Sequence, residues 1–427
     1  MTKTPLLVAV AGIGGFGRAH NEALRTLEKT GLVKVVAACD PQLERLGDLV
    51  RDLELKERGV RMYTDFDEML ATHQDELRLV TIAAPIRFHG TMHRACVERG
   101  IACYLEKPPT LDPEELEAMI EADARAREAA QVGFNYIYQP YRLALKERLL
   151  SGEFGAVLQV ASEACWPRPL RYYGRNNWAG RLLLDDYILL DSCCGNAISH
   201  HLQNILFFAG DEGLFSWATP AFVESELYRA NAIEGTDTIF ARGVFSNGVN
   251  FRVANTHATE AMLTREWIVC EKATIEISMH LSKGRGVKIT WKDGRVEEQP
   301  ITAPLLKENF ELYCDYLLGK RERPVTLLKD CRGFVQLNAL FYLAAERITT
   351  LSAPLVEERE TVHAGHPTSQ RSIPGIVETV ATMIATGEFP SEQGLSWGVR
   401  GGSASIEELG HLREVLQRLA LETATPA

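Results

Sequence analysis

Gly12-Ile13-Gly14-Gly15-Phe16-Gly17 follows directly on the apolar run Leu6–Ala11, so a glycine-rich turn stands where a strand gives way to a helix. Such a turn can hold a dinucleotide. The first glycine permits the tight bend, the second lets the backbone approach a pyrophosphate, and the third lets the helix lie close to the strand. Asp40 ends the next apolar run, Leu32–Cys39, where a carboxylate would take the adenosine ribose hydroxyls. Asp40 also reads as a helix N-cap with Pro41 at the first helical position, and the two roles are compatible. A carboxylate there repels a 2′-phosphate and points to NAD, while Arg45 one turn later keeps NADP open.

A second polar constellation lies in residues 191–211, DSCCGNAISHHLQNILFFAGD. Read as a helix, Ile198, Leu202, Ile205 and Ala209 form an apolar stripe. Asn196, His200, Gln203 and Asn204 line the other face, with Phe207 among them. No Asp, Glu, Lys or Arg occurs between Ser192 and Gly210. An uncharged polar face suits hydrogen bonds to a neutral polyhydroxy ligand; the alternative is a polar face satisfied against another part of the protein. Cys165–Arg181, CWPRPLRYYGRNNWAGR, combines aromatic rings, arginines and amides between Pro and Gly breaks. Rings cover apolar sugar faces and amides bind hydroxyls, which makes Tyr173, Arg175, Asn176 and Trp178 substrate candidates. The alternative is a loop whose rings pack its own interior. His257, at a strand end, is a further residue that could reach substrate. No histidine–carboxylate spacing resembles a metal site, so none is expected.

The elements that must position these residues alternate. After the glycine turn, Phe16, Ala19, Ala23, Leu24 and Leu27 recur at helical spacing, with Gly31 as a stop. Leu79–Ala84 reads as a strand ending at Pro85, followed by a helix over about Phe88–Arg99. Ile101–Leu105 is the next strand and ends in Glu106-Lys107-Pro108-Pro109. Asp112-Pro113-Glu114-Glu115 is a capping box opening a helix to about Ala130, and Gln131–Tyr136 closes the series as a strand. Such alternation predicts a parallel, doubly wound sheet with ligands at the carboxyl ends of its strands. Gly12, Asp40, Pro85 and Lys107 all fall there. Lys107 ends a strand at that edge, where an ammonium could hydrogen-bond a reacting hydroxyl and stabilise charge developing on its oxygen. On the residues alone, a surface lysine is the commoner reading.

Farther on, Thr238–Phe245 and Val249–Thr256 flank Asn247-Gly248, and Val287–Trp291 and Arg295–Pro300 flank Asp293-Gly294. These are two hairpins of an antiparallel sheet. Helices are expected near Leu306–Leu318 and Lys329–Ile348. Ser352–Pro374 reads as a polar loop or linker, with helices after it at Gly375–Thr386 and from Ile406 to about Leu421.

Composition limits the partners. The 427 residues are 46% hydrophobic and 24% charged, ordinary for a globular enzyme of two domains. A net charge of −11 with no basic cluster argues against nucleic acid. No apolar run reaches the about 18 residues of a membrane span, and LLVAVA is the first strand rather than the core of a leader. Nine cysteines without C-x-x-C spacing suit reduced thiols in a cytoplasmic setting, and the Cys193-Cys194 pair reads as packing.

The chain resembles the glucose–fructose oxidoreductase, inositol dehydrogenase and rhizopine-catabolism (Gfo/Idh/MocA) family. The matching pieces are AGIGGFG, AACDP, AAPIRFH with Ala84, Pro85 and His89, LEKPPT, VGFNYIYQPYRLALKERLLSGEFG and the helix ending HHLQNILFFAG. They follow the family's order from residue 6 to about 348. The resemblance implies an NAD(P)-binding Rossmann domain (1–136), an α/β domain with an open, mostly antiparallel sheet (137–351) and an extension (352–427). It also implies hydride transfer between a nicotinamide and a sugar, cyclitol or sugar-acid hydroxyl, in a homo-oligomeric dimer or tetramer paired through that sheet. Residues 12–17, Asp40, Ala84, Pro85, His89, Glu106 and Lys107 would then bind the cofactor, with Lys107 also catalytic. Glu106 would contact the nicotinamide end or orient Lys107. His200 stands where the family places its acid/base histidine, whose ordinary pKa of about 6.5 suits taking a hydroxyl proton. Asn196 replaces the aspartate that relatives often carry one turn earlier, which should leave His200 less basic. Asp191 is an alternative relay partner, and His201, about 100° around the helix, reads as structural. Other readings are a redox-assisted glycosidase with tightly held NAD, and a non-catalytic sugar or nucleotide sensor.

Overall fold

The computed structural model describes residues 4–279 and 284–424. The chain divides into two compact units. The first comprises residues up to 110, 114–139 and 304–331. Its six parallel strands are β1 (Leu6–Ala11), β2 (Val33–Cys39), β3 (Arg61–Tyr63), β4 (Leu79–Ile82), β5 (Ala102–Leu105) and β6 (Gln131–Val132). They run in the order β3-β2-β1-β4-β5-β6, the doubly wound arrangement that the alternation predicts. Helices α1 (Gly17–Glu28), α2 (Gly47–Asp52), α3 (Phe66–His73), α4 (His89–Glu98) and α5 (Pro113–Asp123) follow successive strands.

Three local expectations change in this unit, the first being that α5 ends at Asp123 rather than about Ala130. β6 is two residues long rather than running to Tyr136, because the chain turns away at Gly133 after Val132 bonds to the Thr326 carbonyl. The buried side of α1 carries His20 and Asn21 with Leu24 and Leu27, whereas Phe16 is 54% exposed. Residues 304–331 return to the unit as α9 (Leu306–Leu317), whose Phe310, Tyr313 and Cys314 join the core built on β1 and α1.

The second unit comprises residues 111–113, 140–303 and those from 332 onward. Its large sheet takes β7 (Val157–Cys165), β10 (Pro220–Arg229), β11 (Thr238–Phe245), β12 (Asn250–Thr256), β13 (Leu263–Cys270), β14 (Ala273–Ser278), β15 (Gly286–Trp291), β16 (Val296–Pro300), β17 (Ile348–Thr350) and β20 (Ser403–Ser405). The order is β16-β15-β14-β13-β7-β12-β11-β10-β17, with β20 also on β10. Both hairpins read from Asn-Gly and Asp-Gly are present, as β11–β12 and β15–β16. Pairing is antiparallel except for β7–β12 and β10–β17. The parallel β7–β12 pair matters for function, since both strands deliver their carboxyl ends to one edge.

Four pieces stand outside this sheet order: the ribbons β8 (Leu183–Leu184) with β9 (Tyr187–Ile188) and β18 (Glu357–His363) with β19 (His366–Ser372), and the helices α7 (Leu170–Tyr173) and α12 (Leu412–Ala424). The β18–β19 ribbon corrects the expected loop at Ser352–Pro374. Its strands are mostly exposed, so no apolar alternation marks them, and Ala364 and Gly365 turn it with φ of 51° and 78°. The following α11 (Ile376–Thr386) packs Ile376, Val380 and Met383 on one face of the large sheet, beside Ala161, Phe240 and Ala254.

The opposite face carries α6 (Pro140–Leu150), α8 (Ser199–Ala209) and α10 (Arg332–Ala345). Residues 191–211 are therefore not one helix. Cys193–Ala197 form a wide π-type turn closed by Ile198 N–H on the Cys193 carbonyl, and α8 begins at Ser199. Glu266 of β13 holds α8 in rotation. Its carboxylate accepts from Arg142 Nη1 and Nη2 (2.6 and 3.1 Å) and Asn204 Nδ2 (2.7 Å), and lies 2.6 Å from His201 Nδ1. Burial by itself would raise the Glu266 carboxyl; Arg142 and His201 outweigh it and hold it at about 2. At the far end Lys146 donates to the Phe207 and Gly210 carbonyls, closing the helix terminus.

Glu266→Gln should leave Arg142 buried beside a neutral group, at a cost of roughly 3–5 kcal/mol in urea unfolding. Because the carboxyl is depressed from 4.5 to about 2, its contribution is present above the unfolded value and is lost as pH falls through that window. Wild-type stability should show that acid-side slope, and the variant should lack it.

Candidate functional site

In the first unit, the β1–α1 turn requires its glycines at particular points. Gly12 has φ +85°, and a Cβ there would lie 2.8 Å from the Ala83 carbonyl oxygen. A Cβ on Gly17 would lie 1.9 Å from the Gly12 oxygen, so only glycine lets α1 approach β1. Gly14 differs, because its Cβ would meet nothing closer than Leu46 Cδ2 at 3.5 Å. Asp40 Oδ2 accepts from the Ile13 and Gly14 N–H groups (2.9 and 3.2 Å), and Oδ1 from Gln42 N–H (2.9 Å). The carboxylate thus braces the turn as well as standing at the end of β2, while Arg45 is exposed.

This set fits a dinucleotide. The N-terminus of α1 has no side-chain cap and no acidic residue in its first turn, leaving the positive end of the helix dipole for an anion. Space in front of Gly15 is unfilled by protein, and a Cβ on Gly14 would meet its neighbours only in ordinary contact. Phe16, counted with the cofactor residues, lies exposed beside it.

At the end of β5, Glu106 is 8% exposed and takes His20 Nε2 at 2.9 Å. His20 is wedged edge-on against Tyr104 and Phe310, at 5.7 and 5.0 Å between ring centres. Glu106 also accepts from its neighbour's amide, Lys107 N–H, at 3.1 Å. Its carboxylate is thus a strut under Lys107, which is partly exposed and followed by a cis bond to Pro108. His20 escaped the sequence reading because it falls among apolar positions of α1; its one signal is a polar side chain on the inner stripe. His89, expected at the cofactor, is 2% exposed with both ring nitrogens beside backbone carbonyls. Its Nδ1 lies 3.1 Å from both the Pro108 and Pro109 carbonyls and its Nε2 2.9 Å from Ala84 O. Burial lowers its pKa against the carbonyls, which raise it, and the ring lies between the segment after β4, with Ala84 and Pro85, and the one after β5.

In the second unit, His200 alone among the residues of α8 is not buried. Asn204, expected on an open polar face, is instead committed to Glu266, and Gln203 is buried as well. His201 proves structural. Asn196 Nδ2 donates to Asp191 Oδ1 at 2.8 Å, and Asp191 Oδ2 accepts from Gly180 N–H at 2.6 Å with Arg175 Nη2 at 3.9 Å. A carboxylate therefore stands behind Asn196, supplied from five residues upstream.

The segments that carry Trp166, Arg168, Cys193 and His257 meet at the carboxyl ends of β7 and β12. Trp166 N–H bonds to Thr256 O, Arg168 N–H to His257 O, and Cys193 Sγ to Asn255 O. Tyr173 and Asn176 line a cavity of about 480 Å³ with Arg181, Asn231, Ile233 and Glu234, but Arg175 and Trp178 do not. Asn176 Oδ1 accepts from the Trp178 and Ala179 N–H groups and shapes the loop, while Arg175 lies against the Tyr172 and Trp178 rings. The β18–β19 ribbon borders this loop, through Arg171 N–H to Thr368 Oγ1 (3.2 Å) and Gln370 Nε2 to Thr259 O (2.7 Å). Among the described residues, all nine cysteines are unbridged and buried, and no group of three His, Cys, Asp or Glu side chains is placed to hold a metal ion. No helix among them is long and apolar enough to cross a membrane.

Residues 6–134 match the oxidoreductase family with an NAD-binding Rossmann fold. Inositol 2-dehydrogenase 4 of Saccharopolyspora erythraea is 31% identical over 159 residues, 37% of this chain and 45% of that protein. D-apiose dehydrogenase of Paraburkholderia graminis is 30% identical over 147 residues, 34% of this chain and 37% of that protein. The chain thus spans less than half the length of these two relatives. A crystal structure of the WlbA dehydrogenase from Bordetella pertussis, in complex with NADH and UDP-GlcNAcA, superposes with a TM-score of 0.63. It is 20% identical and the match covers 78% of this chain and 94% of that one, a likeness of fold.

Gly14→Ala and Gly17→Ala should separate two roles of the turn. Gly14→Ala should melt like wild type, because its methyl group meets Leu46 and Asp40 only in ordinary contact at 3.5–3.9 Å, yet bind NADH at least about tenfold more weakly in a fluorescence titration, because the second glycine of the turn is the one a pyrophosphate approaches. Gly17→Ala should lower the melting temperature itself.

Proposed function

We propose, from the match of residues 6–134 to the Gfo/Idh/MocA oxidoreductase family model, that the protein is an NAD-dependent dehydrogenase acting on a hydroxyl of a sugar, cyclitol or sugar acid. The observation that carries the reading is the glycine turn braced by Asp40 at the bare N-terminus of α1. When bound, nicotinamide accepts a hydride from, or returns it to, the carbon bearing the hydroxyl. Residues 12–17 would hold the pyrophosphate, Asp40 the adenosine ribose, and the segments at Ala84–Pro85 and Glu106–Lys107 the nicotinamide end. The fixed charge of Asp40 favours NAD over NADP.

In this reading Lys107 donates a hydrogen bond to the reacting oxygen and lowers the cost of charge forming there. His200 takes the hydroxyl proton in oxidation and returns it in reduction. Glu106, held by His20, orients Lys107. Asn196, held by Asp191, orients the helix start that carries His200. His89 is a positioning residue rather than a cofactor contact, since its ring nitrogens face backbone carbonyls.

A panel of sugars and polyols followed at 340 nm with NAD and with NADP tests the activity. Lys107→Met and His200→Asn should each lower kcat by roughly 10²–10⁴-fold while NADH affinity stays within about threefold. Retained turnover sinks the assignment, and aglycone release without added NAD would move it to the glycosidase. The neutral Asn196 gives a second test. A carboxylate at that position stabilises the imidazolium and should push the acid limb of oxidation to higher pH. In Asn196→Asp, however, the new group meets Asp191 at hydrogen-bond distance, and one of the pair keeps a proton. The limb should therefore rise less in Asn196→Asp than in Asn196→Asp combined with Asp191→Asn.

A further inference from the structure

At the carboxyl ends of β7 and β12, two arginines share one aromatic bed. The Arg168 guanidinium carbon lies 5.0 Å from the Trp166 ring centre and 4.7 Å from that of Tyr172. Arg175 lies 3.7 Å from the Tyr172 ring and 4.9 Å from Trp178. Rings position a guanidinium but do not neutralise it. Arg175 has Asp191 at 3.9 Å, and the oxygens of Asp191 are already bonded to Gly180 N–H and Asn196. Arg168 is half-buried, and among the described residues no carboxylate lies within 4.0 Å of it; its Nε is buried without a partner. Among the described residues, Asp191 is thus the one carboxylate within 4.0 Å of either guanidinium.

Beside the two arginines, His257 offers a neutral group to the rest of a substrate. It is 2% exposed, its Nδ1 lies 2.7 Å from the Trp166 carbonyl, and its Nε2 is buried with no partner. Burial, and then the charges of Arg168 and Arg175, push its pKa down to about 3. The imidazole is therefore neutral at ordinary pH; with Nδ1–H donating to the carbonyl, Nε2 is an acceptor, suited to a substrate hydroxyl beside the anion and not to the anion itself.

We infer that Arg168 and Arg175 form the subsite for an anionic substituent, so that the substrate is an acidic or phosphorylated sugar or cyclitol rather than a neutral one. The inference rests on the dehydrogenase reading and narrows its substrate class. A carboxylate and a phosphate share the chemistry required, namely several oxygen acceptors for paired guanidinium donors.

Matched pairs of substrates test this: glucose with glucuronate, glucose with glucose 6-phosphate, and myo-inositol with its monophosphate. Each is followed at 340 nm with NAD in wild type, Arg168→Met and Arg175→Met. At least one charged member should exceed its neutral partner in kcat/KM by about tenfold or more, and that ratio should fall at least about tenfold in Arg168→Met through KM more than kcat. Arg168→Lys, which keeps the charge but not the planar fork, should retain part of the ratio and guards against a folding defect. The carboxylate and phosphate arms tell the two anions apart. Preference for neutral members, or a ratio unmoved by Arg168→Met, overturns the inference. If no pair is turned over, calorimetric titration of the same compounds decides. Charged compounds bound by wild type and lost in Arg168→Met uphold the anion subsite while the dehydrogenase reading fails. Equal binding of charged and neutral members, or none, overturns the subsite.

Discussion

A carboxylate buried at the centre of the second unit decides what α8 can present. Glu266 collects Arg142 from α6 and His201 and Asn204 from α8, and each bond fixes the helix about its own axis. With those faces committed, His200 is left as the residue of α8 with access beyond the core. Taking ions out of water costs several kcal/mol each, so such a cluster is a poor source of net stability. Its use is geometric: the helix has one rotation in which every buried donor finds the carboxylate. The first unit repeats the device on a smaller scale, where His20 anchors Glu106 and so the strand end that carries Lys107.

Both anchors join residues remote in sequence, and that is why they were hard to foresee. Local periodicity reports which side of a helix is apolar; it does not report a polar side chain that faces inward to meet a distant partner. Thus α1 was legible as a helix and Gly12–Gly17 as a nucleotide turn, yet His20 was invisible among the apolar positions. The face of α8 that reads as open and uncharged is instead filled by Asn204 and Gln203, whose neutrality suits burial beside an ion cluster. The doubly wound order and both tight hairpins were readable because their signals are short-range, a period of two or a dipeptide turn. The return of residues 304–331 to the first unit depends on contacts such as Gln131 with Asn309 that no local pattern records.

The substrate-side residues divide in an instructive way. Tyr173 and Asn176 border a cavity, whereas Arg175 and Trp178 belong to a stack of rings and guanidinium groups beside it. One stretch thus both walls open space and packs its own rings. Asn176 illustrates the overlap: its carbonyl oxygen shapes the backbone while its residue walls the cavity.

The ribbon of β18 and β19 has little core of its own, but Thr368 and Gln370 fasten it to Arg171 and to the exit from β12. It works as a splint. A loop splinted from outside surrenders less freedom when a guest arrives, so the ordering cost of capture is met during folding. On the proposed reading, remodelling a few solvent-facing positions on that ribbon would loosen or stiffen recognition while leaving Lys107 and His200 in place.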